Sequence, residues 1–187
     1  MSLPLLEKIL ADVKDHCTYI NFYFQGEPYL HPQFLDMVKL CDQHGIYSAT
    51  STNAHFLSSE KAKETVLSGL SRLIVSIDGT DQSTYESYRK EGDLSKVLEG
   101  TKNVMHWKKE LNSKIPHVIF QFLVVKPNEH QIEEVKTLAE ELGVDEVRFK
   151  TAQIYDFENG SDLIPENDKY SRYKKGTDGK WRIKNTL

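Results

Sequence analysis

Apolar and polar positions alternate along the chain between two periods. Residues 19 to 24, Tyr-Ile-Asn-Phe-Tyr-Phe, are β-branched and aromatic and stop at Gln25-Gly26-Glu27-Pro28, whose glycine and proline end a strand. Phe34, Met37, Val38, Leu40 and Cys41 then recur at helical spacing up to His44-Gly45, a helix stop. The alternation continues with a strand at 46 to 51, a helix at 58 to 68 capped by Ser58, a strand at 72 to 78 and a helix from 93 to 111. A strand at 117 to 125, a helix at 129 to 142 and a strand at 144 to 150 complete it, and residues 3 to 15 supply a helix before the first strand.

Strands separated by helices of this length cannot form hairpins, so they pair in parallel through right-handed crossovers. The apolar runs at 73 to 77 and 118 to 125 suit strands covered on both faces. The expected architecture is α/β, a partial (βα) TIM-like barrel or an open doubly wound sheet of five mostly parallel strands. The chain opens on a helix with no strand before it, so a core lacking its first barrel strand is expected. Past residue 151 the pattern fades, which divides the chain into a core over 1–151 and an irregular, basic extension over 152–187.

Composition narrows the function. A length of 187 residues with 39% hydrophobic content supports one sizeable core. A formal charge of -4 argues against nucleic acid or an anionic membrane surface as the main partner. No apolar run reaches the length of a membrane span and no signal peptide is present, so the cytoplasm is the expected location. Cys17 and Cys41 are too few for a disulfide framework and too far apart for a metal-ligand motif; both are expected to stay reduced and half-buried. The seven histidines show neither His-x-x-x-His nor His-Glu-x-x-His spacing, so no metal site is expected from them.

Ligands of parallel α/β folds bind at the carboxyl ends of the strands. All five predicted ends here carry polar groups beside small or helix-breaking residues, a pattern that turns and caps also favour. Gly26 lets a ligand approach strand-end carbonyls, and Glu27 offers an acceptor for an ammonium group. Ser76 and Asp78 suit a ribose diol, and Arg89 presents a planar fork for a carboxylate. Such a set would recognise an amino acid joined to a nucleoside.

These same residues carry a family resemblance. Gln25-Gly26-Glu27-Pro28 resembles the Gly-Gly-Glu-Pro motif of radical S-adenosylmethionine (radical SAM) enzymes, and Thr52-Asn53-Ala54 resembles their Thr-Asn-Gly at the next strand end. Ser76-Ile77-Asp78-Gly79, followed by Tyr88-Arg89-Lys90-Glu91-Gly92-Asp93, is similar to the fourth-strand signature of the branch with sulfatase-maturating and peptide-modifying (SPASM-type) enzymes. The segment from Gln121 to Glu129 looks like the fifth strand, which places Val124 beside the adenine. The resemblance spans residues 3 to 151 and implies SAM contacts at Gln25, Gly26, Glu27, Pro28, Thr52, Asn53, Ser76, Asp78, Arg89 and Val124.

It also implies a [4Fe-4S] cluster, reductive cleavage of SAM to a 5'-deoxyadenosyl radical, and modification of a peptide, protein or small molecule in the intact protein. Three departures stand out. Gln25 replaces the first Gly, Ala54 replaces a Gly and argues against a left-handed turn there, and the Cys-x-x-x-Cys-x-x-Cys loop is absent. By analogy that loop lies upstream of Met1, so neither a cluster nor radical activity is expected from this chain alone. The aromatic strand at 19 to 24 would then be an open edge, inviting self-association. Two other readings are a (βα)-barrel lyase, aldolase or phosphate-binding enzyme, with Lys126 or Lys150 forming a Schiff base, and a flavodoxin-like binding or regulatory module.

Overall fold

The computed structural model describes residues 1–184. Five strands, β1 (Tyr19–Asn21), β2 (Tyr47–Thr52), β3 (Arg72–Ser76), β4 (His117–Val124) and β5 (Glu146–Thr151), form one sheet in the order β1-β2-β3-β4-β5. Every neighbouring pair is parallel. Each strand adds beside its predecessor on the same side, so the crossover helices fall on one face. That is the winding of a barrel segment rather than of a doubly wound sheet, in which the order reverses.

The helices are α1 (Leu3–Val13), α2 (Phe34–Gln43), α3 (Ser59–Leu67), α4 (Gln82–Tyr88), α5 (Leu94–Glu110) and α6 (Ile132–Leu142). Alternate strand residues Leu73, Val75, Val118, Phe120, Phe122 and Val124 point to the helical side and pack there on Val38, Ala62, Val66, Val97, Val104 and Val135. A second, smaller cluster joins Leu6 and Leu10 of α1 to Met37 and Cys41 of α2 and to Ile46. Cys41 is thereby fully buried rather than half-buried, and burial pushes its thiol up to about 11. Cys17 is half-buried and both thiols are free.

Three expectations change. The first strand stops at Asn21, although the Phe22 N–H still donates to the Ala49 carbonyl. Beyond it the chain leaves the ladder: Phe22 packs edge-on against Phe34, while Tyr23 and the 94% exposed Phe24 turn toward the strand ends. A helix that the pattern did not predict, α4, precedes Arg89; its cap is Asp81, whose carboxylate accepts from the Thr84 N–H. Four hydrogen bonds, chiefly from Ser83 and Thr84, hold that carboxyl well below the usual range.

The segment after residue 151 is irregular as far as Arg172, and then becomes regular. It folds into an antiparallel hairpin of β6 (Tyr173–Lys175) and β7 (Trp181–Ile183) turned at Asp178-Gly179, a strong hairpin dipeptide. Tyr173 is buried, stacks on Phe157 and exchanges hydrogen bonds with the backbone of Ile154. The Glu129 carboxylate accepts from the N–H groups of Glu166 and Asn167, and Lys126 pairs with Glu166 at 2.8 Å, which ties the segment to the loop after β4.

Candidate functional site

The carboxyl ends of β1, β2 and β3 open onto one cleft of about 440 Å³. Its walls include Gln25, Gly26, Glu27, Thr52, Asn53, Ser76 and Arg89, so seven of the ten residues singled out from the sequence meet there. Tyr23, Phe24 and Ser51 complete the lining. Sequence reasoning missed these three: Tyr23 and Phe24 read as strand, and Ser51 stands out only once the pairing is known. Ser51 pairs with Ile74, so it shares a face with Ser76, and the two hydroxyls lie 3.5 Å apart.

Glu27 carries a structural task besides the one expected. Its Oε1 accepts from the Thr52 hydroxyl at 2.8 Å and the Tyr29 N–H at 3.2 Å, while Oε2 accepts from the Asn53 N–H at 2.8 Å. These bonds cap the turn at Pro28–Leu30 and fasten it to the end of β2. A carboxylate has about four acceptor positions, so one remains for a ligand. Thr52 is likewise committed, since its hydroxyl also accepts from the Ala54 N–H. Gly26 has φ +83°, with open space where a side chain would stand. A residue with a Cβ would be strained in that conformation, and its absence exposes backbone to the cleft.

Ala54 corrects the expectation drawn from its missing glycine. Its φ is 60°, so the left-handed turn is kept with an alanine. The conformation costs an L-residue about 1–2 kcal/mol. It is held by the Thr52 hydroxyl and by burial of the Ala54 methyl in the main core.

Pro28, Asp78 and Val124 lie outside the cleft lining. Pro28 starts the short 3-10 turn. Val124 is fully buried on the helical side of β4, where it packs in the core instead of facing a ligand. Asp78 is 1% exposed, too enclosed to reach a ribose. Its Oδ1 accepts from the Leu123 N–H at 2.7 Å and its Oδ2 from Arg89 Nε at 2.6 Å. Burial drives this carboxyl upward against the pull of Arg89 and Leu123, yet both oxygens serve as acceptors, the arrangement of an ionised group. Asn128 braces the same corner by donating to the carbonyls of Asp78 and Leu123.

The result is a pre-set guanidinium. Arg89 follows α4, spends Nε on Asp78 and carries its positive centre 5.9 Å from the Tyr88 ring. Its two terminal nitrogens donate to no protein group among the described residues and stand at the cleft. That leaves one flat, paired donor edge suited to a carboxylate.

The chain's own residues do not fit an iron-sulfur cluster. Cys17 and Cys41 are its two thiols, Cys41 is inaccessible, and no group of three or more His, Cys, Asp or Glu side chains among the described residues could hold a metal. The cleft does fit the organic part of SAM in donor character: exposed backbone at Gly26, the Ser76 hydroxyl and the free edge of Arg89 are all available.

No protein-family model matches the chain. Over 152 residues it is 28% identical to the tungsten-containing aldehyde ferredoxin oxidoreductase cofactor-modifying protein of Pyrococcus furiosus, an alignment covering 78% of this chain and 41% of that protein. The chain thus spans about two fifths of the length of that curated relative. Among solved structures, Streptococcus suis SuiB bound to S-adenosylmethionine superposes with a TM-score of 0.66 at 16% identity, over 87% of this chain and 36% of that one. Polyhistidine-tagged anSMEcpe with bound AdoMet superposes with a TM-score of 0.65 at 18% identity, over 87% of this chain and 44% of that one. The sequence relationship, the shared fold and the meeting of the three strand-end motifs in one cleft agree, and together they support the likeness of this chain to a radical SAM core domain.

Proposed function

We propose that this chain forms the SAM-holding part of a radical SAM enzyme, with SAM in the cleft at the ends of β1, β2 and β3. The observation that carries the reading is the junction of Gly26, Ser76 and Arg89 on one rim. Gly26 offers backbone acceptors to the amino group, with the remaining lone pair of Glu27 nearby. Ser76 hydrogen-bonds the ribose, and Arg89 takes the carboxylate with the donor edge that Asp78 leaves free. In the whole enzyme the group supplied with SAM is a [4Fe-4S] cluster that provides the electron for cleavage. This chain's part is to bind and orient SAM; its thiols do not hold the cluster, so it generates no radical alone. The product of the intact enzyme is a modified peptide, protein or small molecule.

A Schiff-base reading is disfavoured. Lys126 is fixed by Glu166, which raises its pKa by hydrogen bond and charge, the opposite of what an amine nucleophile needs. The test is calorimetric titration with SAM, with anaerobic iron and sulfide reconstitution in parallel. Saturable binding is expected, weakened about tenfold by Arg89→Gln through loss of a charge-assisted pair. No binding, or binding indifferent to Arg89, would overturn the reading. A stoichiometric cluster with broad visible absorption would refute the claim that the chain holds none.

A further inference from the structure

The strand register puts a second set of polar groups next to the cleft, on the sheet face turned away from the helices. Ser76 pairs with Gln121, and Gln121 pairs with Arg148, so the three form one row across β3, β4 and β5. Lys150 stands two residues beyond Arg148 on the same face, beside Leu123. Strand spacing places the Arg148 backbone about 10 Å from that of Ser76, within the reach of a small substrate lying over Gln121.

Arg148 is ordered without being used up. Its Nε and Nη2 donate to Glu146 Oε1 at 3.0 and 2.7 Å, and Glu146 is steadied in turn by His117 Nε2 at 3.1 Å on Oε2. Nη1 and one hydrogen of Nη2 have no partner among the described residues, on a side chain that is 36% exposed. Holding a guanidinium in place beforehand lowers the ordering cost of binding.

Charge on this face runs against that of the chain. Arg72, Arg89, Arg148 and Lys150 confront Glu27, Asp78 and Glu146, a small local positive surplus in a protein whose formal charge is -4. Arg72 has no acidic partner among the described residues; it lies over the Tyr47 ring. His117, Tyr19 and Tyr47 are further titratable groups on the face, and Asn21, Ser51 and Ser76 are neutral.

We infer that this row is the substrate wall of the domain and that it receives an anionic oxygen group, carboxylate or phosphate, on Arg148 with Gln121 and Lys150 assisting. The inference rests on the proposed SAM cleft for its meaning as a substrate site, but the anion site itself does not need SAM. Glu146 and His117 are positioning residues for Arg148.

The experiment uses the whole chain, following the Gln121 amide and Arg148 Nε–H resonances while pyrophosphate or citrate is added, with S-adenosylhomocysteine in a separate titration. Saturable shifts are expected with at least one anion, and which anion acts chooses between phosphate and carboxylate. Arg148→Gln should weaken the response about tenfold and Arg148→Lys less, because a point charge replaces the fork. Lys150→Gln supplies a second, milder variant on an exposed position. Arg89→Gln should leave anion binding in place while it weakens S-adenosylhomocysteine, and Arg148→Gln should do the reverse. If neither anion moves these resonances, or Arg148→Gln leaves the midpoint unchanged, the inference falls even with S-adenosylhomocysteine bound. Anion binding that needs Arg148, in a protein indifferent to S-adenosylhomocysteine, would keep the anion site and remove the SAM reading.

Discussion

The two faces of the five-stranded sheet are built from the same strands yet obey different rules. On the helical side every second residue of β3 and β4 is aliphatic or aromatic and fully buried. On the opposite side the same strands mix the buried Ile74 and Ile119 and the side chain of Leu123 with Arg72, Ser76, His117 and Gln121, and β5 adds Glu146, Arg148 and Lys150. Period-two alternation lets one strand serve both ends: the helical face is uniformly apolar, while the opposite face combines buried Ile74 and Ile119 with the polar groups that line the cleft and the row beside it. β2 breaks the rule. Its helical-side residues are Ser48, Thr50 and Thr52, and the hydroxyls of Ser48 and Thr50 are buried with no hydrogen-bond partner among the described residues. Only Thr52, at the strand end, has found a use, in its bonds to Glu27 and Ala54.

The contrast can be broken most forcefully at its apolar centre. Phe120→Ala removes a fully buried ring and should lower stability by about 3–5 kcal/mol, read from urea unfolding; a loss under about 1 kcal/mol would mean the helical face is not the main stabilising layer. Glu27→Ala comes next, because it orphans two backbone N–H groups and the Thr52 hydroxyl. A cost of about 2–3 kcal/mol is expected, with weakened SAM binding as the turn at Pro28–Leu30 comes loose. Thr50→Val tests the exception on β2: replacing an unpartnered buried hydroxyl with a methyl should raise stability by about 1 kcal/mol, and a loss would reveal a partner for that group. The smallest effect belongs to the open face, where Arg148→Gln should shift stability by no more than about 0.5 kcal/mol, since its pair with Glu146 is half-exposed.

Acid should act on the cap of α4 in a defined direction. The Asp81 carboxyl is depressed in the folded protein, so its contribution is present above the ordinary carboxylate range of about 4 and is lost as pH falls toward its folded value. An Asp81→Asn variant should flatten that part of the stability profile, measured by thermal melts across the acid range.

Most elements were legible in the chain because local pattern decided them. The helix at 58 to 68 is capped by Ser58 as expected, and the strands at 72 and 117 begin at the expected residues, one position before their apolar runs. Misses occurred where a local signal was faint or was passed over. Asp81 and Thr84 mark the start of α4, and Asp178-Gly179 marks the hairpin, but each lies in a polar stretch without a long apolar period. The first strand read too long because aromatic content says nothing about where a ladder loses its partner.

Residue types and their order along the chain were enough to determine the class of fold, the strand ends at which chemistry should sit and the motifs that tie it to radical SAM enzymes, because periodicity and turn chemistry are short-range properties. Which polar groups remain free was decided only in three dimensions. Glu27 and Asp78 looked like ligand contacts; tertiary packing turned Asp78 inward onto Leu123 and Arg89, and left Glu27 in the cleft wall with most of its acceptor positions taken by Asn53, Thr52 and Tyr29. A carboxylate near buried N–H groups satisfies them first, since an unpaired buried donor costs more than a solvated ligand contact returns. The row of Ser76, Gln121 and Arg148 likewise exists only through register, which joins residues 45 and 27 positions apart along the chain.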